Sequence, residues 1–476
     1  MWTAVWRCAC CSRRAREAAT IAGMVRRWLA VAVAVVLAAA GVQAEVGRTL
    51  KHRVWLLGGV PDDATLTALR AAGVDGLVLP VGEIELADGA SRFTLSPLPD
   101  VKGLAGWSLT ALVWVRGSDK ASGDPGTFAA QLAPVQRSLP GGAGLLLASK
   151  QYSPGVVGLA SGAARKLRQT VELALPASEL AEHVPRGGWE VVHAVAVAFG
   201  NPPALSFPAS TLQDDLMALD RLDAAGVPYR AAIVVAPLAI PPPGPAGASL
   251  VAIVGGETSI YRPGERGDVF QLRKPVSWGG VPVEANQSIT VELVDTARYN
   301  RDLGLLLRPV RPRLGGWDTA GLPAPEPTLG MSREAFLEYL QGGSPNPRPE
   351  VAVEWPAPTV MRVSLSNLTP QASALASTGN WVELRFGGTE VRDVQLGDFS
   401  GMEYGRPEKG VWHRTVVRDA TALRFYFTFL PPRARVTDCL VTFLSRPNAV
   451  SAGWRVRLGD GSNATGSLEP VPLTTR

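Results

Sequence analysis

"LTALRAAGVDGLVLPV", residues 66–81, and "LDRLDAAGVPYRAAIVV", residues 219–235, share one design. Each begins with leucines spaced as on one face of a helix. Gly73 and Gly226 follow, and glycine readily takes the left-handed conformation that ends a helix. The apolar run after each glycine is typical of a strand buried on both faces, as in a parallel sheet. The two stretches therefore predict the helix-to-strand half of a βα unit, present twice.

Further runs of both kinds alternate along the chain. Strands are predicted at residues 54–59, 76–81, 108–115, 144–148, 170–175, 191–199, 231–235 and 303–307, and helices at 64–72, 126–137, 154–168, 178–183, 211–225 and 332–341. Eight strands alternating with helices over roughly 300 residues predict a (βα)8 barrel, and a doubly wound sheet is the alternative. The barrel is favoured because no glycine-rich turn follows the first strand.

The sequence also predicts how the chain divides. The barrel is expected over residues 45–345, with a β-rich insertion at about 237–299 that follows a proline-rich loop. Proline and glycine density predicts a linker at 346–358. Period-two patterns such as "ALRFYFTFL" predict a β-sandwich over 359–476. The fold class is therefore α/β, a degenerate (βα)8 TIM-type barrel followed by an all-β sandwich-like domain.

Residues 1–44 have the features of an export signal. "MVRRWLAVAVAVVLAAAGVQA" begins at Met24 with a basic segment, continues with an apolar run and ends with small residues before Ala44. This predicts a signal peptide cleaved after Ala44, a true start at Met24, and a secreted or periplasmic bacterial protein. A retained membrane anchor is the alternative, but the apolar run is shorter than the ~20 residues that cross a bilayer.

Charge and cysteine content limit the classes of partner and of reactive group that we expect. Removing the six arginines and one glutamate of residues 1–44 from the totals of 47 and 42 leaves 41 basic and 41 acidic residues. A neutral mature chain gives no indication of a nucleic-acid or anionic-membrane partner. Cys439 is then the one remaining cysteine, and we expect a buried thiol rather than a nucleophile. No stable membrane span is expected after cleavage.

Candidate catalytic residues are few. Glu83 and Glu85 follow the second predicted strand and would point the same way in an extended segment. Asp318 lies just past the eighth predicted strand and is the third candidate. The fourth strand ends in Ala148, Ser149 and Lys150, none of which carries a carboxylate.

The eighth unit, "LGLLLRPVRPRLGGWDTAG", suggests a binding wall. Arg308, Arg311 and Trp317 combine an aromatic face with charged groups, as sugar-binding surfaces do. Trp114, on the third predicted strand, is a further candidate ligand-binding residue. The alternative is that these side chains pack against the chain near the linker, which explains their composition nearly as well. The four histidines are scattered and no nucleotide or hydrolase motif occurs, so neither a metal nor a cofactor is expected.

Four segments carry a resemblance: "HRVWLLGGV" (52–60), "GLVLPVGEIEL" (76–86), "GAGLLLASK" (142–150) and "HAVAVAFG" (193–200). Over about residues 52–345 the chain resembles an uncharacterised family of secreted bacterial proteins with a glycoside-hydrolase-like barrel and a β-rich tail. The resemblance implies acids where this chain has Ala148, Lys150 and His193, whereas Glu83 fits the pattern.

These observations predict a catalytically degenerate barrel that binds a glycan or a cell-envelope polysaccharide. One alternative is an active glycoside hydrolase using Glu83 or Glu85 with Asp318. The other is a structural envelope scaffold without a ligand.

Overall fold

The computed structural model describes residues 50–468, apart from 88–89, 97–100, 118–122, 141–142, 184–191, 199–211, 236–237, 241–257, 263–267, 279–280, 293, 326–329 and 377. The predicted signal segment, residues 1–44, lies outside the described residues. None of the helices in the described part is long and apolar enough to span a membrane.

The described residues of the first part of the chain form fifteen strands. In chain order they are β1 (Lys51–Trp55), β2 (Gly76–Ala87), β3 (Ala90–Leu95), β4 (Ser108–Gly117), β5 (Ala143–Ser149), β6 (Val171–Pro176), β7 (Val192–Ala198), β8 (Tyr229–Val234), β9 (Leu238–Ile240), β10 (Thr258–Arg262), β11 (Asp268–Leu272), β12 (Val276–Trp278), β13 (Val281–Val283), β14 (Ser288–Glu292) and β15 (Leu314–Ala320).

Eight of these strands form a closed parallel barrel in the order β1-β2-β4-β5-β6-β7-β8-β15. The barrel closes because β1 pairs in parallel with both β2 and β15. β3 folds back antiparallel on the far half of β2, so this part of the sheet extends beyond the barrel. The predicted barrel is confirmed.

Helices connect the barrel strands. They are α1 (Asp63–Ala71), α2 (Pro125–Ser138), α3 (Pro154–Leu167), α4 (Ala177–His183), α5 (Leu212–Ala225), α6 (Thr296–Leu307) and α7 (Arg333–Leu340). Asp62 caps α1 by accepting the backbone N–H of Thr65. Gly73 (φ 78°) and Gly226 (φ 74°) follow α1 and α5 in the left-handed region, as the repeated design predicts.

The eighth strand differs from its prediction. Residues 303–307, predicted as a strand, belong to α6, and the strand is β15, Leu314–Ala320. Asp295 caps α6, which buries Tyr299, Asp302 and Leu306 at helical spacing. By itself, the short apolar run 303–307 fits either a strand or a helix. The cap at Asp295 and the helical spacing of the buried residues identify it as part of a helix.

Strands β9 to β14 fall in the range predicted as a β-rich insertion. β10, β11, β14 and β9 form one antiparallel sheet, and β12 pairs with β13. Phe270 and Leu272 of β11 are fully buried.

The C-terminal part is antiparallel. Its strands are β16 (Pro349–Ala357), β17 (Val360–Asn367), β18 (Trp381–Gly387), β19 (Val391–Gln395), β20 (Gly401–Glu408), β21 (Val411–Arg414), β22 (Ala422–Tyr426), β23 (Arg435–Phe443), β24 (Ala449–Arg457) and β25 (Asn463–Leu468). They form a four-stranded sheet, β16-β17-β23-β19, and a six-stranded sheet, β21-β20-β22-β18-β24-β25. One apolar cluster lies between the sheets, and Cys439 is buried in it, as predicted.

β16 takes the place of the predicted linker. Val351 and Trp355 are buried, and the glutamates that alternate with them are exposed. β16 is an edge strand, and edge strands tolerate the prolines that suggested a linker.

Candidate functional site

A charged cluster fills the amino-terminal half of the barrel. Arg53 bonds both oxygens of the Asp318 carboxylate, through Nε at 3.0 Å and Nη2 at 2.7 Å. Arg230 Nε lies 2.8 Å from Oδ1, and the indole of Trp55 donates to Oδ2 at 2.9 Å. The carboxylate is fully buried and accepts four hydrogen bonds. It therefore has little capacity left for a ligand.

The electrostatics of the cluster favour the ionised acid. Burial raises the pKa of Asp318, but the Arg53 and Arg230 guanidiniums outweigh that effect and hold the pKa at about 2. Burial lowers the pKa of Arg53, whereas Asp318 and Glu172 raise it to a net value above the ordinary one. Glu172 accepts from Arg53 at 2.7 Å. Asp318 therefore cannot serve as a proton donor near neutral pH.

Asp318 does not lie just past a strand end, as the sequence suggested. It is inside β15, and Ala320, two residues later, belongs to the apolar interior. On β1, Arg53 likewise lies two residues before Trp55, which belongs to the apolar interior. Alternate residues of a strand point to one face, so both side chains face the barrel interior. The charged layer therefore lies below an apolar layer that is closer to the barrel mouth.

The apolar cluster spans two positions on several strands, and its end toward the mouth is called the floor here. Its buried members are Trp55, Val78, Leu112, Leu146, Ala148, Ala174, Val195, Val197, Ala232, Val234 and Ala320. Trp114 and Leu57 pack against this cluster and are partly exposed. The rings of Trp55 and Trp114 are 6.4 Å apart and tilted by 59°. Asp318 thus holds the indole of Trp55, and Trp55 in turn supports Trp114.

The extended part of β2 and β4 forms a wall beside this floor. Register pairs Glu83 with Trp114 and Glu85 with Arg116, which places all four on the same face of the sheet. Glu83 and Arg116 form an ion pair of 3.0 Å with both side chains substantially exposed. The two glutamates point the same way, as expected, but on a strand rather than a loop.

The residues of the predicted eighth-unit wall lie elsewhere. Arg311 is buried and binds Asp220 at 3.0 Å and Asp223 at 3.1 Å, near the amino end of β8. Arg308 is exposed at the end of α6. Because β15 begins only at Leu314, both arginines precede the strand rather than follow it.

Trp317 faces the helices that surround the barrel. Its ring stacks on His52 with centroids 4.7 Å apart. Nε2 of His52 lies 2.9 Å from Oγ1 of Thr319, which in turn is 2.7 Å from the hydroxyl of Tyr299 on α6. Trp317 therefore packs between barrel and helix, away from the floor that Trp114 lines.

The ends of β5 and β6 add a cluster that sequence reasoning missed. Glu179 of α4 accepts the backbone N–H of Tyr152 at 3.3 Å and lies 3.7 Å from Nε2 of His183. The rings of Tyr152 and His183 stack at 3.9 Å. The sequence feature that indicates this cluster is Glu179, an acid three residues after the buried strand β6. Ser149, at the end of β5, bonds the Gln151 carbonyl at 2.9 Å.

Among the described residues, no group of three or more His, Cys, Asp or Glu side chains could hold a metal ion. The described mouth thus offers an aromatic floor, a charged wall and a helix-bound acid.

No protein-family model matches the chain, and no curated protein matches it. Solved structures that align with it include a chitinase from Chromobacterium violaceum, with 15% identity over 62% of this chain and 98% of that chain and a TM-score of 0.32. A glycoside hydrolase family 30 subfamily 8 xylanase from Clostridium acetobutylicum aligns with 10% identity over 83% and 96% of the two chains (TM-score 0.28). A beta-glycosidase from Bacteroides vulgatus aligns with 10% identity over 86% and 62% (TM-score 0.19). Similarity at this level carries no information on the activity of this chain.

Proposed function

We propose that the protein is exported from a bacterial cell and binds a glycan or a cell-envelope polysaccharide at the mouth of its barrel, without hydrolysing it. The observation that carries this proposal is the environment of Asp318. Its carboxylate is buried beneath Trp55 and accepts four hydrogen bonds. These bonds stabilise the barrel interior.

Hydrolysis requires a different arrangement of acids. Glycosidases place two carboxyl groups on either side of the scissile bond, about 5–9.5 Å apart. Glu83 and Glu85 lie on one strand and one face, and Glu83 is paired with Arg116. These two acids lie on one side of the mouth, and Glu179, at the ends of β5 and β6, already accepts the backbone N–H of Tyr152 and lies 3.7 Å from Nε2 of His183.

Binding fits the same surface well. The half-buried indole of Trp114 offers an apolar face to a sugar ring, and the Glu83–Arg116 pair offers acceptors and donors to hydroxyl groups. Because Trp55 beneath it is fixed by Asp318, the platform is held before a ligand arrives.

A glycan array followed by calorimetry on the best ligand tests the proposal. We expect retention of at least one glycan, and a loss of about tenfold or more in affinity for Trp114→Ala, the scale of one aromatic contact. Arg116→Gln should weaken binding as well. Arg392→Gln, an exposed strand arginine on the four-stranded sheet, is the matched control and should bind as the wild type does.

Chromogenic glycosides test the hydrolase alternative. Turnover by the wild type that disappears in Glu83→Gln would overturn the proposal in favour of an enzyme. Retention of no glycan at all would overturn it in favour of a structural scaffold.

A further inference from the structure

The six-stranded sheet carries a second candidate site on its outer face. Register places Glu383 of β18 beside Arg424 of β22 on one side and Gly453 of β24 on the other. Trp381, two residues before Glu383, shares this face and pairs with Arg455. Alternate residues of these strands form the apolar core on the opposite face, so the sheet separates core from surface.

Aromatic rings and guanidinium groups stack along this face. The guanidinium of Arg424 lies 4.3 Å from the ring of Trp381 and 4.0 Å from that of Trp412. Arg455 lies 5.3 Å from the Trp381 ring. A Cβ at Gly405 would collide with the Trp412 ring, so glycine there lets the indole lie close to the sheet. The stack is therefore held firmly by cation–π contacts and close packing.

Small side chains next to the stack leave a groove. β24 and β25 present Ser451, Gly453, Thr465 and Ser467 to this side of the sheet. The groove between them and the stack has a volume of about 440 Å³. Sites for small ligands typically have volumes of ~300–1,000 Å³, so the groove can hold a ligand of that size.

The lining of the groove is positively charged and rich in donors. Three arginines, Arg385, Arg424 and Arg455, face one acid, Glu383. Glu383 already accepts from Arg385 at 2.8 Å and from Arg424 at 2.7 Å. An anionic ligand with many oxygen acceptors would complement this surface.

We propose that this groove binds a saccharide chain that carries carboxylate groups, such as uronic acid residues. The indoles favour a ligand with flat apolar faces, which sugar rings have and inorganic anions lack. The excess of arginine favours carboxylates over neutral sugars, since guanidinium and carboxylate match in geometry. The serines and threonine can bond the hydroxyl groups of such a chain. The site lies on the β domain and is independent of the barrel mouth.

Calorimetry with a short oligogalacturonate tests the proposal, and the fully methyl-esterified form of the same chain is the matched neutral ligand. We expect the acid form to bind at least tenfold more tightly than the ester, and its affinity to fall as sodium chloride is raised. Arg385→Gln removes an exposed charge of the groove, and Thr465→Trp fills the groove from an exposed edge-strand position. Each should weaken binding at least tenfold.

Arg392→Gln is the control and should bind the acid form as the wild type does. Equal binding of ester and acid would overturn the proposal, because the arginines would then have no role. Unchanged affinity in both groove variants would also overturn it, and loss of binding in Trp114→Ala with both groove variants unaffected would place the ligand at the barrel mouth. Absence of binding to the oligogalacturonate overturns the acidic-saccharide site, whereas a neutral glycan found on the array would still support the barrel proposal.

Discussion

The barrel interior and the outer face of the six-stranded sheet contain the same chemical groups in two settings. Each has one carboxylate held by two arginines beside a tryptophan: Asp318 with Trp55 in the barrel, and Glu383 with Trp381 on the sheet. In the barrel the carboxylate is fully buried. On the sheet Glu383 is also buried, with 6% of its side chain exposed, but its partner Arg385 is 58% exposed.

The difference shows that composition does not decide what such a cluster does. A closed cylinder leaves no access to Asp318, so its hydrogen-bonding capacity is used within the protein. On the open sheet face Arg385 stays largely in contact with solvent, where a ligand can replace water. Access, set by the fold, separates a structural cluster from a candidate binding site.

Asp318→Asn should produce the largest effect. The change removes the charge that balances two buried arginines, and breaking a buried pair typically costs about 3–5 kcal/mol. We expect the free energy of unfolding, measured in urea, to fall by about that amount. Asp393→Asn, at an exposed position of β19, is the control and should change it by about 0.5 kcal/mol or less. A loss below about 1 kcal/mol in Asp318→Asn would show that the barrel cluster is not sealed.

His52→Phe should remove a pH dependence of the barrel. Burial lowers the pKa of His52 to about 4, although Asp318 raises it in part. The unfolded chain binds a proton near pH 6.5 and the folded chain does not, so stability is full above pH 6.5 and is lost as the pH falls toward 4. The difference corresponds to about 3 kcal/mol.

Urea unfolding of wild type and variant at pH 7 and pH 4.5 measures this effect. Phenylalanine can keep the stack on Trp317, and the decrease in stability between the two pH values should be clearly smaller in the variant. His413→Gln, an exposed substitution on β21, controls for loss of a histidine. Equal decreases in wild type and His52→Phe would contradict the buried, neutral state of His52.

Glu383→Gln should have an intermediate effect. It weakens two charge-assisted hydrogen bonds, but Arg385, one of the two partners, is exposed and can bond water instead. We expect a loss of about 1 kcal/mol in the free energy of unfolding, below that of Asp318→Asn. A loss in the free energy of unfolding as large as that of Asp318→Asn would mean that the sheet cluster stabilises the fold as strongly as the barrel cluster does.

Arg385→Gln should have the smallest effect, at most about 0.5 kcal/mol, because exposed ion pairs contribute little. The same unfolding measurement checks it and shows whether the variant is suitable for the binding experiments. A larger loss would indicate that Arg385 supports the sheet itself.

Much of the architecture could be predicted from the sequence because it depends on local periodicity. The repeated Leu-x-x-Leu, Ala-Ala-Gly-Val design predicts helix, stop and strand in order, and Gly73 and Gly226 adopt the positive φ that this requires. The period-two pattern of ALRFYFTFL likewise predicts a strand, and β22, Ala422–Tyr426, lies within it. The exceptions were short segments, 303–307 and 346–358, where the local pattern was ambiguous or prolines dominated.

The candidate sites could be predicted only in part. The shared face of Glu83 and Glu85 follows from strand alternation, and Trp114 is at the mouth. Arg308, Arg311 and Trp317 do not form the predicted wall, because residues 303–307 belong to helix α6 and the last strand is β15. Arg116 and the groove on the sheet were missed, since cross-strand register joins residues that are far apart in the chain.

The sequence by itself determined the order of helices and strands and the periods that bury their apolar faces, because these depend on residues a few positions apart. The tertiary structure decided which charged groups meet and which of them water can reach. Arg53 and Asp318 are 265 residues apart in the chain and 2.7 Å apart in space. Closure of the barrel brings them together, and no local pattern encodes that distance or the burial that fixes their role.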